Sequence, residues 1–306
     1  MVSTGSTTRQ LLKAASTRLA AAGVGSPEYD AAELLAQVLG VPRPEILRAD
    51  SPTERQRAAY ETAVARRAGR EPLQYIIGVA GFRHVELAVG PGVFVPRPET
   101  EVLAGWAIEA ALAVSEPGGR PPVVVDLCTG SGAIALAVAD EVTDAEVHAV
   151  EVEPAAFEWA STNLAGTDVD LRLGDMTDAF PELSGSVDVV VCNPPYIPLD
   201  AFDSVEPEAR DFDPPASLWS GEDGLEAIRA VERVGARLLR DGGQLGVEHA
   251  DVQGTGALAV FAATGRWSRV LDHQDLAGRP RFVTAEWHDD PMMQWSRQAR
   301  PPGSAP

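Results

Sequence analysis

The chain is poor in cysteine: Cys128 and Cys192 are the only two among 306 residues, too few for a disulfide framework. It is also poor in positive charge. Lys and Arg number 25 against 45 Asp and Glu, a formal net charge of −20. Proteins whose main task is gripping a phosphate backbone carry a basic footprint, so the balance argues against that class. No run of about 18 uncharged apolar residues occurs, which excludes a helical membrane span. Arg9, Lys13 and Arg18 interrupt the apolar pattern of the N-terminus, so no signal-peptide core forms and the expected compartment is the cytoplasm.

What is present is ordinary globular material, 45% hydrophobic and 23% charged residues, which suits a sizeable core and excludes a mainly disordered chain. The charge is unevenly spread. Residues 1–75 carry ten basic and eight acidic side chains, net +2, and the remainder carries 15 and 37, net −22. Two units with different surfaces are expected.

The first 70 residues read as short helices in a small bundle. Leu11, Leu12, Ala15, Leu19 and Ala22 recur at helical spacing. Ser26-Pro27-Glu28 is a helix start, with Gly40 as its stop, and Ser51-Pro52-Thr53-Glu54 opens a third helix reaching about Ala68. Beyond Pro72, Tyr75–Gly78 and Val85–Val89 read as short strands of a hairpin. A helix is expected from about Pro98 to Val114, then a linker by composition over Ser115–Pro122. From Val123 onward, apolar runs at 123–127, 146–150, 170–173, 187–192 and 244–247 alternate with helical stretches, the pattern of a mostly parallel sheet. The predicted organisation is a helical domain over residues 1–72, a β-hairpin linker over 73–97, an α/β domain over 98–288 and a disordered tail over 289–306.

Four strand ends carry chemistry. Val123–Leu127 runs into Cys128-Thr129-Gly130-Ser131-Gly132 and then a helix. Glycines there let the backbone approach a ligand at the edge where open sheets bind small molecules. Glu151 follows Gly132 by 19 residues at the end of the next strand, where an acid can accept both hydroxyls of a ribose. This much fits NAD, FAD or S-adenosylmethionine. Asp175-Met176 ends the third strand, where an acid can accept from an adenine amino group and a thioether can pack on the ring. Alone, Asp175 is better explained as a solvated loop carboxylate, and it gains weight from its position at the same sheet edge as Gly130 and Glu151.

Asn193-Pro194-Pro195-Tyr196 follows the apolar strand ending at Cys192. A planar amide or amino nitrogen is a poor nucleophile because its lone pair is delocalised. An Asn oxygen and a neighbouring carbonyl that accept its two N–H hydrogens steer that lone pair toward an electrophile. The prolines fix the loop, and Tyr196 can stack on the planar group.

These motifs together resemble the amino-methyltransferases of the class I S-adenosylmethionine-dependent fold. Within them, Phe94-Val95-Pro96-Arg97-Pro98-Glu99-Thr100-Glu101 and Pro72–Gly78 resemble the signature of the HemK/PrmC family, and the resemblance extends to about Trp287. It implies a Rossmann-like α/β fold with a mostly parallel seven-stranded sheet and a small N-terminal helical domain for substrate recognition. It implies a monomer without a metal that transfers a methyl group from S-adenosylmethionine, leaving S-adenosylhomocysteine. The acceptor is the side-chain amide nitrogen of the Gln in the Gly-Gly-Gln motif of peptide-chain release factors. Carried over, the glycine-rich loop falls on Cys128, Thr129, Gly130, Ser131 and Gly132, the ribose acid on Glu151, and the adenine side on Asp175 and Met176. The amide-holding residues fall on Asn193, Pro194, Pro195 and Tyr196, Asn193 also touching the cofactor. Cys128 stands where a Gly is frequent, and Met176 where relatives often have an aromatic ring. An acidic catalytic face would attract a basic release-factor domain.

Other readings stay open at this point: a ribosomal-protein glutamine methyltransferase, an adenine-N6 methyltransferase of nucleic acid, or a non-catalytic scaffold. The acidic catalytic unit counts against the second, and the intact tetrapeptide against the third. Arg97, Glu99 and Glu101 either edge the cofactor pocket or bridge the domains. His249 reads as a structural histidine, Cys128 and Cys192 as buried fillers on neighbouring strands, and Phe82 and Trp106 as core.

Overall fold

The structure is a computed structural model and describes residues 7–115 and 119–289. Part of the Ser115–Pro122 linker and the tail from residue 290 lie outside the described residues. The helices in chain order are α1 (Thr8–Ala21), α2 (Pro27–Leu39), α3 (Glu54–Ala68), α4 (Leu73–Ile77), α5 (Thr100–Val114), α6 (Ala133–Glu141), α7 (Pro154–Asn163), α8 (Pro207–Phe212), α9 (Glu226–Leu238) and α10 (Gly254–Thr264). The strands are β1 (Val79–Phe82), β2 (Val85–Ala88), β3 (Val123–Leu127), β4 (Glu146–Glu151), β5 (Asp170–Leu173), β6 (Val187–Cys192), β7 (Leu239–Glu248), β8 (Trp267–Gln274) and β9 (Pro280–Trp287). Contacts divide them into two units. Residues 7–79, 89–91 and 205–212 form one, and 80–88, 92–204 and 213–289 form the other.

The first unit is helical. Leu11, Ala15 and Leu19 of α1, Leu34 and Leu35 of α2, and Tyr60 and Val64 of α3 bury a common core. Gly40 ends α2 in the left-handed region, φ 69°, as its position past the last apolar residue suggests. Two start signals differ from expectation. Ser26 precedes α2 but its side chain makes no capping hydrogen bond. The third helix is capped by Thr53, in a reciprocal box with Gln56, rather than by Ser51. The strand expected over Tyr75–Gly78 is instead helix α4, framed by Pro72 before it and a left-handed Gly78, φ 84°, after it. Its β-branched Ile76 and Ile77 favour a strand locally, but they pack against the helical core, and tertiary burial overrides a weak propensity.

One piece of this unit comes from far along the chain. Helix α8 supplies Glu208, whose Oε1 accepts from Arg67 Nη2 at 2.9 Å and from Arg70 Nε at 2.7 Å. Arg67 Nε also donates to Asp30 at 2.7 Å, and both side chains are 8% exposed. Burial alone raises the Glu208 pKa, but Arg70 and Arg67 outweigh it and hold the carboxyl below its ordinary value.

The second unit holds a two-stranded β1–β2 sheet and a seven-stranded sheet of order β5-β4-β3-β6-β7-β9-β8. Strands β5, β4, β3, β6 and β7 run parallel, and β9 is antiparallel to both β7 and β8. The apolar runs of β3 and β6 lack alternation because both faces are covered. On one face Val123, Val125, Leu127, Val190 and Cys192 join Ile228, Val231 and Leu238 of α9 and Phe261 of α10 in one core. On the other lies α5. A Cβ on Gly246 of β7 would strike Trp106 and Leu103 of α5, whereas its neighbours Leu245 and Val247 belong to the α9 core. Strand parity therefore sends Gly246 and Glu248 toward α5. Phe82 is buried as expected, while Trp106 is only half-buried, its indole lying over Gly246.

Candidate active site

The chain leaves β3, builds β4 and β5 outward on one side, and returns to start β6 on the other. The reversal opens a crevice at the carboxyl ends of β3 and β6, the usual ligand position in such sheets. Register pairs Leu127 with Cys192, so Cys128 and Asn193 emerge side by side there.

The turn after β3 is tightly wound. Cys128, Gly130 and Gly132 all have positive φ, at 59°, 59° and 83°. The non-glycine Cys128 is strained in this region. A Cβ on Gly130 would meet nothing within 4 Å, so the backbone there faces open space, whereas one on Gly132 would press on Leu164. Thr129 and Ser131 are buried. Thr129 Oγ1 donates to Asp126 Oδ2 at 2.6 Å, and Ala135 N–H donates to the same oxygen at 3.2 Å. Oδ1 of Asp126 is buried without a partner among the described residues. Burial pushes the Asp126 carboxyl up to about 7, against the pull of those two donors.

Glu151 ends β4, as expected from its spacing. Its Oε2 accepts from Gly130 N–H at 2.8 Å and its Oε1 from Glu153 N–H at 2.9 Å. These bonds orient the carboxylate and leave each oxygen a second lone pair. Burial raises its pKa, and the amides partly offset the rise. Asp175 is exposed beyond β5, and Thr177 donates to its Oδ1 through N–H and hydroxyl at 2.8 and 2.7 Å. Those bonds lower its pKa and keep it charged.

One cavity brings these residues together. Its walls include Cys128, Glu151, Asp175, Met176 and Pro195, with Val152, Ala216 and Ala227 as apolar lining. It holds about 570 Å³ of empty space, part of it open to solvent. Thr129, Gly130, Ser131, Gly132 and Asn193 are not among its walls. Acids on one side and an apolar slot suit a cationic nucleoside with a free ribose. Asp126 Oδ1 adds an unmet acceptor under the turn.

Asn193–Tyr196 leaves β6 beside this cavity. By strand parity Asn193 turns to the face opposite Cys192, toward α5, where its Nδ2 donates to Thr100 Oγ1 at 3.2 Å. The Pro194 carbonyl takes no hydrogen bond from the described residues. Tyr196 donates its hydroxyl to Glu248 Oε1 at 3.2 Å, and its carbonyl accepts from Gln253 Nε2 at 2.8 Å. A Cβ on Gly224 would strike that same carbonyl, so only glycine fits beneath the loop. Burial, then the Glu248 charge, pushes the Tyr196 phenol well above its ordinary value, so it remains a donor. Burial pushes Glu248 up to about 7, with Thr100, Arg281 and Tyr196 pulling the other way.

Thr100, Glu248, Gln253, Gly224 and Arg281 had no role in the sequence reading. The alternation of Leu245 and Val247 with Gly246 and Glu248 is the signal that sets Glu248 apart. Cys128 differs from expectation. It is half-buried at the cavity wall rather than a buried filler, with its thiol 3.7 Å from Met176 Sδ. Cys192 is buried, and burial together with the neighbouring Cys128 raises its pKa. His249 is fully buried and structural, its ring held by Ala250 O at 2.8 Å and Asp272 at 3.2 Å. Arg97 pairs with Asp213 at 2.5 Å and Glu99 with Arg279 at 3.5 Å, all four within the α/β unit.

Comparison with known proteins places these features. The family described as the PrmC N-terminal domain matches residues 10–78, and the methyltransferase small domain matches residues 113–203. A release factor glutamine methyltransferase of Streptomyces coelicolor is 55% identical over 271 residues, covering 89% of this chain and 95% of its own length. A 4-amino-L-phenylalanine/4-methylamino-L-phenylalanine methyltransferase of Streptomyces pristinaespiralis is 48% identical over 205 residues, 67% of this chain and 70% of its own. The solved structure of the hMettl16 catalytic domain with a MAT2A 3′UTR hairpin superposes with a TM-score of 0.52 at 13% identity, covering 77% of this chain and 82% of that one. That likeness shows a methyltransferase fold.

Proposed function

The chain belongs to the release factor glutamine methyltransferase family, and on that premise we propose that it methylates the side-chain amide nitrogen of the Gly-Gly-Gln glutamine in peptide-chain release factors, in the cytoplasm. One observation carries the reading. Pro195, inside the tetrapeptide that can hold an amide, also walls the acid-rimmed cavity at the β3/β6 crevice. Donor and acceptor sites therefore adjoin.

Bound S-adenosylmethionine supplies an electrophilic methyl group and departs as S-adenosylhomocysteine. The chain's own residues hold the partners. Glu151 accepts the ribose hydroxyls with its spare lone pairs. Asp175 accepts at the adenine edge, and Met176, Val152 and Ala227 pack on the ring. The Cys128–Gly132 turn faces the methionine end with its open backbone at Gly130. Asn193 Oδ1 and the Pro194 carbonyl accept the two N–H hydrogens of the acceptor amide, and Tyr196 stacks on its plane with Pro195 beside it. So held, the amide nitrogen would direct its lone pair at the methyl group that S-adenosylmethionine would supply, an N–C bond replacing the S–C bond. The nitrogen's surplus proton passes to water. The helical unit is proposed to recognise the release factor, which the PrmC N-terminal match over residues 10–78 supports.

The test is transfer of labelled methyl to four acceptors: a release factor, its Gln→Ala variant, DNA and free 4-amino-L-phenylalanine. Label on the release factor alone is expected. Equal label on the variant or on DNA sinks the reading, and preference for the free arylamine reassigns the chain to small-molecule chemistry.

A further inference from the structure

The side chain of Asn193 has two nearly isosteric ends with opposite hydrogen-bonding character. If Oδ1 faces the acceptor amide, it accepts an N–H. If Nδ2 faces it, two donors oppose each other. Something must fix the orientation, and the structure places that control outside the tetrapeptide. We propose that Glu248 and Thr100 are positioning residues that set the hydrogen-bond polarity of the acceptor loop, turning Asn193 so that Oδ1 faces the acceptor. The proposal rests on the acceptor role assigned above to Asn193–Tyr196.

The argument is one of direction. An ionised carboxylate can only accept. Glu248 is 1% exposed at the end of β7, on the α5 face of the sheet. Tyr196 donates to its Oε1, and its Oε2 is buried with no partner among the described residues. Thr100, the first residue of α5, is also buried, and its hydroxyl favours the charged form of the same carboxylate, whose Oε2 still has room for a donor. A hydroxyl has one proton. Turned toward the unmet Oε2 of Glu248, that proton would leave Thr100 only lone pairs for Asn193, which matches the observed contact of Asn193 Nδ2 with Thr100 Oγ1 at 3.2 Å. Glu248 thus reaches both ends of the tetrapeptide, Tyr196 directly and Asn193 through Thr100. The other charged groups around it are Glu99 beside Thr100 on the α5 side and Arg281 on β9. Arg281 remains charged and is itself tied to Asp275 at 3.2 Å.

The polarity is firm only while Glu248 is ionised. A protonated carboxyl can donate as well as accept, and the direction of the chain of bonds is no longer imposed. Turnover should therefore fall as pH drops through the titration of this group, which burial sets at about 7.

The experiment uses the full chain with a release factor as acceptor. Thr100→Val is expected to lower kcat by about 10- to 100-fold, the scale of a misplaced reacting group. S-adenosylhomocysteine affinity should stay within about twofold, since Thr100 is not a wall of the cofactor cavity. Thr100→Ser restores the hydroxyl and should recover turnover. Glu248→Gln, which offers a donor where only an acceptor serves, should lower kcat and remove the fall in rate below pH 7. Wild-type turnover in a folded Thr100→Val, or an unchanged pH profile in Glu248→Gln, overturns the proposal. If Thr100→Val does not fold, as judged by its thermal melt, the Glu248→Gln profile decides alone. A wild-type enzyme that labels no release factor overturns the functional reading instead, and the two failures are distinguishable.

Discussion

On the β5-β4-β3 side of the crevice, carboxylates are held mainly by backbone amides of the strand-end turns, from two to 21 positions away in the chain. Glu151 is met by Gly130 and Glu153, Asp175 by Thr177, and Asp126 by Ala135 together with the Thr129 hydroxyl. On the β6-β7-β9 side, side chains distant in sequence hold one another: Asn193 with Thr100, Tyr196 with Glu248. The first half needs only the adjacent strands β3, β4 and β5 and the turns at their ends. The second exists only when α5, β6, β7 and β9 are all assembled. The proposed nucleoside site is thus made by neighbouring strands, while the proposed site for the reacting nitrogen draws on side chains far apart in the chain.

The sharpest way to break this division is Asn193→Ala. Transfer should fall by about 10³-fold or more, as when an oriented transition-state partner is removed, while S-adenosylhomocysteine binding by calorimetry stays unchanged. An equal loss of binding would show the two halves to be one. Next in size is a stability effect. The raised pKa of Glu248 means the folded state takes up its proton more readily than the unfolded chain. Its contribution is fully present below the ordinary glutamate value of 4.5 and is lost as pH rises through about 7. Glu248→Gln removes that loss, so the variant should gain up to about 3 kcal/mol over wild type above pH 8 and little at pH 5, read from denaturant midpoints. Equal effects at both pH values would contradict the sign. Asp126, pushed up to about 7 on the other half, should continue to titrate in that variant.

Smaller is Glu151→Ala. Loss of a charged acceptor for a ribose should weaken cofactor binding by about 10- to 50-fold, roughly 1.5–2.3 kcal/mol, with kcat at saturating cofactor changed far less. A kcat loss as large as the binding loss would blur the division from the other side. Smallest is Met176→Leu, a near-isosteric exchange at the apolar wall, expected to shift cofactor affinity by less than about 1.5 kcal/mol and turnover not at all.

The same division explains what could be read from the sequence. The β3 strand, its glycine turn, Glu151 at 19 residues and the 187–192 strand before Asn193 were legible because each is a short-range pattern. Cys128, Glu151, Asp175, Met176 and Pro195 do meet at one cavity. Thr100 was visible inside the Phe94–Glu101 motif, but its use depends on Asn193, 93 positions away. Glu248 was passed over because a lone acid at a strand end carries no sign of its partner. Tyr75–Ile77 misled because β-branched residues point to a strand, whereas burial against α2 and α3 decides for a helix. The contribution of 205–212 to the helical unit has no local signature, since Glu208 looks like any exposed acid until Arg67 and Arg70 are placed beside it.

That last contact bears on how such proteins can be recombined. The helical unit is not a detachable leader. The first 79 residues taken alone carry Arg67 and Arg70 without Glu208, though Arg67 keeps Asp30 and the Glu71 carbonyl. The N-terminal helices and the short insertion that follows the acceptor loop must therefore be inherited together. A chimera that respects only the linear boundary between them would trade specificity at the expense of its fold.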